Sequence, residues 1–164
     1  MSDKIGLFTG SFDPITKGHV DLIERASRLF DKLYVGIFYN REKSGFFRIE
    51  ARERMVKEAL QHLDNVAVIT SQNELAVAVA SRIGSKTFVR GLRNNQDLDY
   101  ETSMNFFNQE LDSELETIFL LSKPDYQYIS SSRIRELIAF KQSITPYVPQ
   151  SVVREIEREL HEKD

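Results

Sequence analysis

The sequence predicts an α/β fold, a doubly wound five-stranded parallel sheet with helices on both faces. Three features predict it. Five short apolar runs alternate with amphipathic helical patterns along 164 residues. The second run, Leu33-Tyr-Val-Gly-Ile-Phe-Tyr39, is apolar almost without a break, as in a parallel strand covered on both sides. Hydroxyl-bearing and cationic residues fall just past the strand ends, the edge at which open α/β sheets bind ligands. The chain has no repeats, low-complexity segment or linker, so residues 1–164 are expected to form a single domain.

The first strand is carried by Ile5, Leu7 and Phe8, and it breaks at Thr9-Gly10-Ser11. A helix begins at Gly18-His19, with Val20, Ile23, Ser27 and Phe30 on one face and Leu22, Ala26 and Leu29 flanking it. Residues 33–39 are the second strand, followed by a polar loop containing Lys43. Taken alone, Lys43 reads as a solvated loop lysine; its place beyond a strand end makes it a ligand candidate. A helix over Ile49–Leu63 should bury Met55, Val56, Ala59, Leu60 and Leu63. Its solvent face should carry the i,i+4 pairs Glu50–Arg54, Glu53–Lys57 and Arg54–Glu58, with His62 as a structural residue.

Val66-Ala-Val-Ile-Thr70 is the third strand, and Ser71-x-x-Glu74 has capping-box spacing for a helix from Leu75 to Ile83 that stops near Gly84. Thr87-Phe-Val89 is the fourth strand, running into Arg90-Gly-Leu-Arg93, whose forked donors suit phosphate. From Asn94 to Ser122 there is no lysine or arginine, and much of the segment should be helical, with Leu98, Met104, Phe107 and Leu111 as its apolar positions. If Glu101 faces the site, its expected partners are a metal-bound water, a sugar hydroxyl or Arg93. Phe106 and Phe107 widen the apolar surface and suggest a subunit interface. Thr117-Ile-Phe-Leu-Leu121 is the fifth strand. Ile129-Ser-Ser-Ser-Arg-Ile-Arg135 opens another helix, where three serines are either caps or a second anion corner beside Arg133 and Arg135. A last helix over about Ser151–Leu160 should pack through Val152, Val153, Ile156 and Leu160.

The composition narrows the chemistry. Lys plus Arg number 22 against 25 Asp plus Glu, a net charge of −3, which argues against a general nucleic-acid binder. The absence of cysteine excludes thiol catalysis and cysteine-ligated zinc, and three scattered histidines disfavour a histidine metal site. No apolar run approaches the roughly 18 residues of a membrane span, and no signal-peptide pattern opens the chain, so a cytoplasmic location is expected.

The most informative stretch runs from Gly6 to His19. A strand passes through a glycine-bearing loop into a helix N-terminus, whose free N–H groups and partial positive charge favour an anion. His19, Ser11 and Thr16 add side-chain donors there. A strand–glycine–helix corner is common, and its glycines can be simple turn residues. The dinucleotide fingerprint and the P-loop are both absent. The ordered set Gly10-Ser-Phe-Asp-Pro14 and Thr16-x-Gly-His19 is far more specific. It resembles the signature of the nucleotidyltransferase superfamily, usually His-x-Gly-His, and its Thr variant is similar to that of the bacterial phosphopantetheine adenylyltransferase family. Lys43, Arg90-Gly-Leu-Arg93, Tyr100-Glu101 and Ile129-Ser-Ser-Ser132 match further motifs of that family in order, over about Lys4 to Leu160.

The resemblance implies a Rossmann-like fold, Mg2+ as cofactor, ATP and 4'-phosphopantetheine as substrates, and a homohexamer built as a dimer of trimers, with neither nucleic acid nor membrane as partner. It implies His19, Lys43, Arg93 and Ser11 as catalytic residues. ATP would be held by Ser11, Phe12, His19, Gly91, Leu92, Arg93, Glu101, Tyr126, Gln127, Tyr128, Ile129, Ser130, Ser131 and Ser132. The acceptor would be held by Ser11, Lys43, Ala76 and Arg90, with no residue implied as a metal ligand. Ser11 stands where Thr is frequent, which keeps the hydroxyl, and Tyr126 stands where some members carry another aromatic. Another small-molecule nucleotidyltransferase and a non-catalytic ATP-binding module are the alternative readings.

Overall fold

The computed structural model describes residues 2–40, 42 and 45–162. The strands are β1 (Ile5–Gly10), β2 (Lys32–Tyr39), β3 (Val66–Gln72), β4 (Thr87–Leu92) and β5 (Glu116–Leu121). The helices are α1 (Lys17–Ser27), α2 (Ile49–Ala59), α3 (Ala76–Ile83), α4 (Asn95–Leu111), α5 (Ser131–Ala139) and α6 (Gln150–Glu162). All strand pairings are parallel, in the order β3-β2-β1-β4-β5. The chain winds outward from β1 in both directions, so the sequence reverses at the crevice between β1 and β4, the place where such sheets receive ligands.

Side chains alternate across the sheet with a period of two. Phe8, Val35, Ile37 and Val89 join the larger core with α1, α2, α5 and α6. Leu7, Phe88, Tyr34 and Phe38 point the other way, into a smaller core completed by Val79 and Ala80 of α3 and by Leu115. The doubly wound prediction is met, with unequal cover on the two faces. Among α4's described residues only Glu101 is buried, while Leu98, Met104, Phe106, Phe107 and Leu111 stand exposed. The apolar positions of this helix therefore form an outward surface, which includes the Phe106 and Phe107 pair read as a candidate interface.

Other expectations are corrected by long-range packing. Of the three ion pairs predicted along α2, Lys57–Glu53 forms. Arg54 pairs instead with Glu155, and Glu58 with Arg154, because α6 lies against α2. That helix also ends at Ala59, short of Leu63. Ser71 lies within β3 and donates to the Glu74 carboxylate, so no capping box forms, and α3 begins after Leu75 without a side-chain cap. Leu29 and Leu160 are exposed rather than packed. His62 contacts Glu24 at 2.7 Å on the surface. Gly84 ends α3 in the left-handed conformation, φ 76°, where its missing Cβ removes the strain.

Candidate active site

The C-terminal ends of β1 and β4 open into a cleft of about 310 Å³. It is lined by Ser11, Phe12, His19, Arg90, Gly91, Arg93, Glu101, Tyr126, Ile129, Ser130, Ser131 and Ser132 among others. A second cleft of about 390 Å³ lies against it, lined by Ala76, Phe38, Leu75, Tyr100 and Met104 and sharing Ser11, Arg90 and Glu101 with the first. The structure thus brings together residues from four separate segments. Leu92 is buried at the end of β4, and Gln127 and the exposed Tyr128 stand outside the lining. Lys43 lies outside the described residues.

Close backbone approach makes the convergence possible. A Cβ on Gly91 would sit 2.3 Å from Leu22 Cδ1, so the glycine lets the Leu22 side chain of α1 pack directly on β4. That contact sets the α1 N-terminus beside the two arginines.

Thr16 caps α1, and the cap decides what His19 can do. Thr16 Oγ1 accepts from the His19 backbone N–H at 3.3 Å, while the Thr16 backbone N–H donates to His19 Nδ1 at 3.0 Å. The Thr16 hydroxyl lies 3.1 Å from the same nitrogen. The result is a capping box with histidine in the position usually held by Glu or Gln. Because Nδ1 accepts, the ring proton sits on Nε2, and the free edge of His19 is a hydrogen-bond donor. Burial, then the charges of Arg90 and Arg93, hold the imidazole pKa down to about 4, so the ring is neutral at physiological pH. Thr16 itself was expected to offer its hydroxyl to a ligand; that hydroxyl is buried in the cap.

Each arginine is held by a carboxylate. Arg93 donates to Asp97 through Nε at 3.1 Å and Nη2 at 3.3 Å, and its backbone N–H does so at 2.9 Å. Arg90 pairs with Glu101, which is 7 % exposed, at 2.6 Å, and it also donates to the Thr9 carbonyl. Arg93, one of the three partners expected for Glu101, is thus taken by Asp97, and Glu101 pairs with Arg90. Helix phase explains the exchange, since Asp97 in the first turn of α4 is nearer the loop that carries Arg93.

The serine segment is a cap as well as a wall. Ser130 Oγ accepts from the Arg133 N–H, Ser131 Oγ donates to the Pro14 carbonyl, and Ser132 Oγ accepts from Arg135. Arg135 lines the cleft and donates to the Asp13 carbonyl at 2.8 Å, whereas Arg133 pairs with Glu136 at the surface. Two residues have parts that the sequence analysis did not assign. Asp13 accepts the backbone N–H groups of Phe46 and Phe47 at 2.7 and 2.8 Å. Arg52, on the buried side of α2, donates to the Ser11 and Phe47 carbonyls. The Asp-Pro turn signal pointed at the first; nothing distinguished the second from α2's surface charges.

Among the described residues the cleft presents neutral and cationic donors to a polyanion, has its carboxylates Asp97 and Glu101 paired with arginines, and contains no activated nucleophile. Comparison with known proteins gives the same direction. A family model described as cytidylyltransferase-like matches residues 7–137. The chain is 82 % identical over 164 residues, the whole of both chains, to the phosphopantetheine adenylyltransferases of Streptococcus gordonii and Streptococcus sanguinis. It is 60 % identical to that of Streptococcus pneumoniae over 159 residues, 97 % of this chain and 98 % of the relative. A crystal structure from Vibrio parahaemolyticus with a provisional nicotinate-nucleotide adenylyltransferase name matches 96 % of this chain and 94 % of its own, with a TM-score of 0.73 and 20 % identity. That last likeness is one of fold.

Proposed function

The chain belongs to the cytidylyltransferase-like family and, within it, to the phosphopantetheine adenylyltransferases; on that premise we propose that it transfers the adenylyl group of ATP to 4'-phosphopantetheine. The products are dephospho-coenzyme A and pyrophosphate, a step of coenzyme A biosynthesis. The observation that carries the reading is the neutral His19 donor, locked by Thr16, facing the same cleft as Arg90, Arg93 and Ser11.

The acceptor brings its own nucleophile. A phosphomonoester is mostly dianionic near neutral pH, its second pKa being about 6, so no general base is needed. Its oxygen attacks the α-phosphorus of ATP in line as the bond to the bridging oxygen of pyrophosphate breaks. His19 Nε2–H donates to the α-phosphate oxygens as charge builds, and Arg93 steadies the triphosphate. Arg90 and Ser11, shared by both clefts, orient the acceptor's phosphate, and Ala76 lines the space for its pantetheine arm. Lys43 completes the acceptor site in this reading. The ATP side is made by Phe12, Gly91, Tyr126 and residues 129–132, which line the cleft, with Leu92, Gln127 and Tyr128 adjoining that lining, while Glu101 acts on the acceptor side through Arg90.

Among the described residues no group of three His, Asp or Glu side chains is placed to hold a metal ion. Asp97 and Glu101 are both committed to arginines. In this reading magnesium enters as part of the substrate, Mg·ATP, rather than on a cluster of the described side chains. We include a homohexamer, a dimer of trimers, on family analogy. What supports an interface is α4, where Phe106 and Phe107 are each 59 % exposed and stack edge to face. No described helix is long and apolar enough to cross a membrane, and a cytoplasmic location completes the proposal.

Pyrophosphate release, measured with a panel of phosphate acceptors, tests the assignment. Release with 4'-phosphopantetheine and not with nicotinate mononucleotide is expected. Release only with other acceptors, or tight ATP binding without release, would overturn it.

A further inference from the structure

The turn that delivers Ser11 to both clefts is held from beneath by two buried charges that the reaction itself does not use. Phe12, at the centre of the turn, has φ 47°, a left-handed conformation that a bulky side chain disfavours. Such strain persists only where its neighbours are fixed. Here they are fixed on both sides. The Arg52 guanidinium, 4 % exposed, donates from Nη1 to the Ser11 carbonyl at 3.0 Å and from Nε to the Phe47 carbonyl at 3.1 Å. Asp13 is pinned by the Phe46 and Phe47 N–H groups, and its own carbonyl accepts from Arg135. Gly45 is wedged between the two charges: a Cβ there would lie 2.8 Å from Asp13 Oδ2 and 3.0 Å from Arg52 Nη2. The Phe12 ring, so held, meets the His19 imidazole edge to face with centroids 5.2 Å apart.

We propose that Arg52 is a positioning residue for adenylyl transfer: its planar fork joins the Ser11 and Phe47 carbonyls and holds the strained Phe12 turn that aims Ser11 and packs His19. The inference rests on the transferase reading above. A lysine at this position carries the same charge but has a single ammonium head, which lacks the rigid fork needed to span both carbonyls. Charge and burial are kept; alignment is lost.

The test compares wild type with Arg52→Lys and with Asp13→Asn, which leaves one acceptor of the two and opens no cavity. Turnover in the pyrophosphate assay should fall on the order of 10- to 100-fold in Arg52→Lys, the scale of a misplacement near 1 Å. The ATP dissociation constant should change less than about threefold, since the arginines and the helix N-terminus remain. In the ¹H–¹⁵N spectrum of the imidazoles, His19 should leave its single Nε2–H tautomer signal in Arg52→Lys. That readout works whether or not the acceptor has been identified correctly, so failure of the substrate assignment and failure of this inference are distinguishable. A folded Arg52→Lys protein with wild-type His19 signals and turnover would overturn the proposal. Failure of both variants to fold would assign the strut to folding alone and overturn it equally.

Discussion

Replacing His19 separates the two tasks the structure gives that residue. Nδ1 accepts from the Thr16 N–H and so belongs to the helix cap, while Nε2–H faces the cleft and belongs to the chemistry. His19→Ala removes both. Loss of the transition-state donor should lower turnover by about 10²–10³-fold, the usual cost of one such donor, equivalent to about 3–4 kcal/mol. Loss of the cap partner should lower folding stability by about 1 kcal/mol. His19→Gln restores the Thr-x-x-Gln capping box, because its amide oxygen can accept from Thr16 while its NH2 remains a weaker, displaced donor. Urea unfolding should therefore return to wild type in His19→Gln, while turnover stays well below it and above that of His19→Ala. ATP affinity, measured by titration without acceptor, should move far less than turnover in both. Near-normal turnover in folded His19→Ala would refute the role of the ring, and equal loss of stability in both variants would refute the cap.

Glu101→Gln removes the charge that anchors Arg90 while keeping the shape of the side chain. The KM for the acceptor should rise about tenfold with the ATP dissociation constant nearly unchanged, whereas a larger effect on ATP would place Glu101 on the nucleotide side. Acid should weaken the fold through His19 with a definite sign. Its pKa is held down to about 4 from the ordinary 6.5, so its contribution is complete above pH 6.5 and is lost as pH falls through 4. At 1.36 kcal/mol per unit this amounts to at most about 3 kcal/mol, read as the difference in pH slope between wild type and His19→Gln in urea unfolding. Matching slopes would contradict the burial. Phe107→Glu should dissociate the assembly in sedimentation if α4 is an interface, and an unchanged assembly would exclude that face.

The strands and the place of the candidate site were legible because both follow from local signals. Apolar runs marked each strand, and Ser11, His19, Arg90 and Arg93 fall where strands end or helices begin. What escaped depends on contacts between distant segments. Arg54 looked like an i,i+4 partner for Glu58 until α6 placed Glu155 within 2.7 Å of it. Arg52 looked like one more charge on an amphipathic helix, although its side of α2 faces the Ser11 turn. The exchange of Arg93 for Arg90 as partner of Glu101 turns on the rotation of α4, which its weak amphipathicity left unspecified. Leu98, Met104 and Leu111, read as the apolar positions of this helix, face outward with Phe106 and Phe107 because α4 gives the sheet so little of its surface.

The central claim is that the acceptor's phosphate displaces pyrophosphate from ATP directly, with the protein supplying alignment and charge but no covalent partner. The stereochemical course at a chiral α-phosphorothioate of ATP tests this most directly. Inversion at phosphorus is the predicted result, and net retention would contradict it by requiring an adenylylated enzyme.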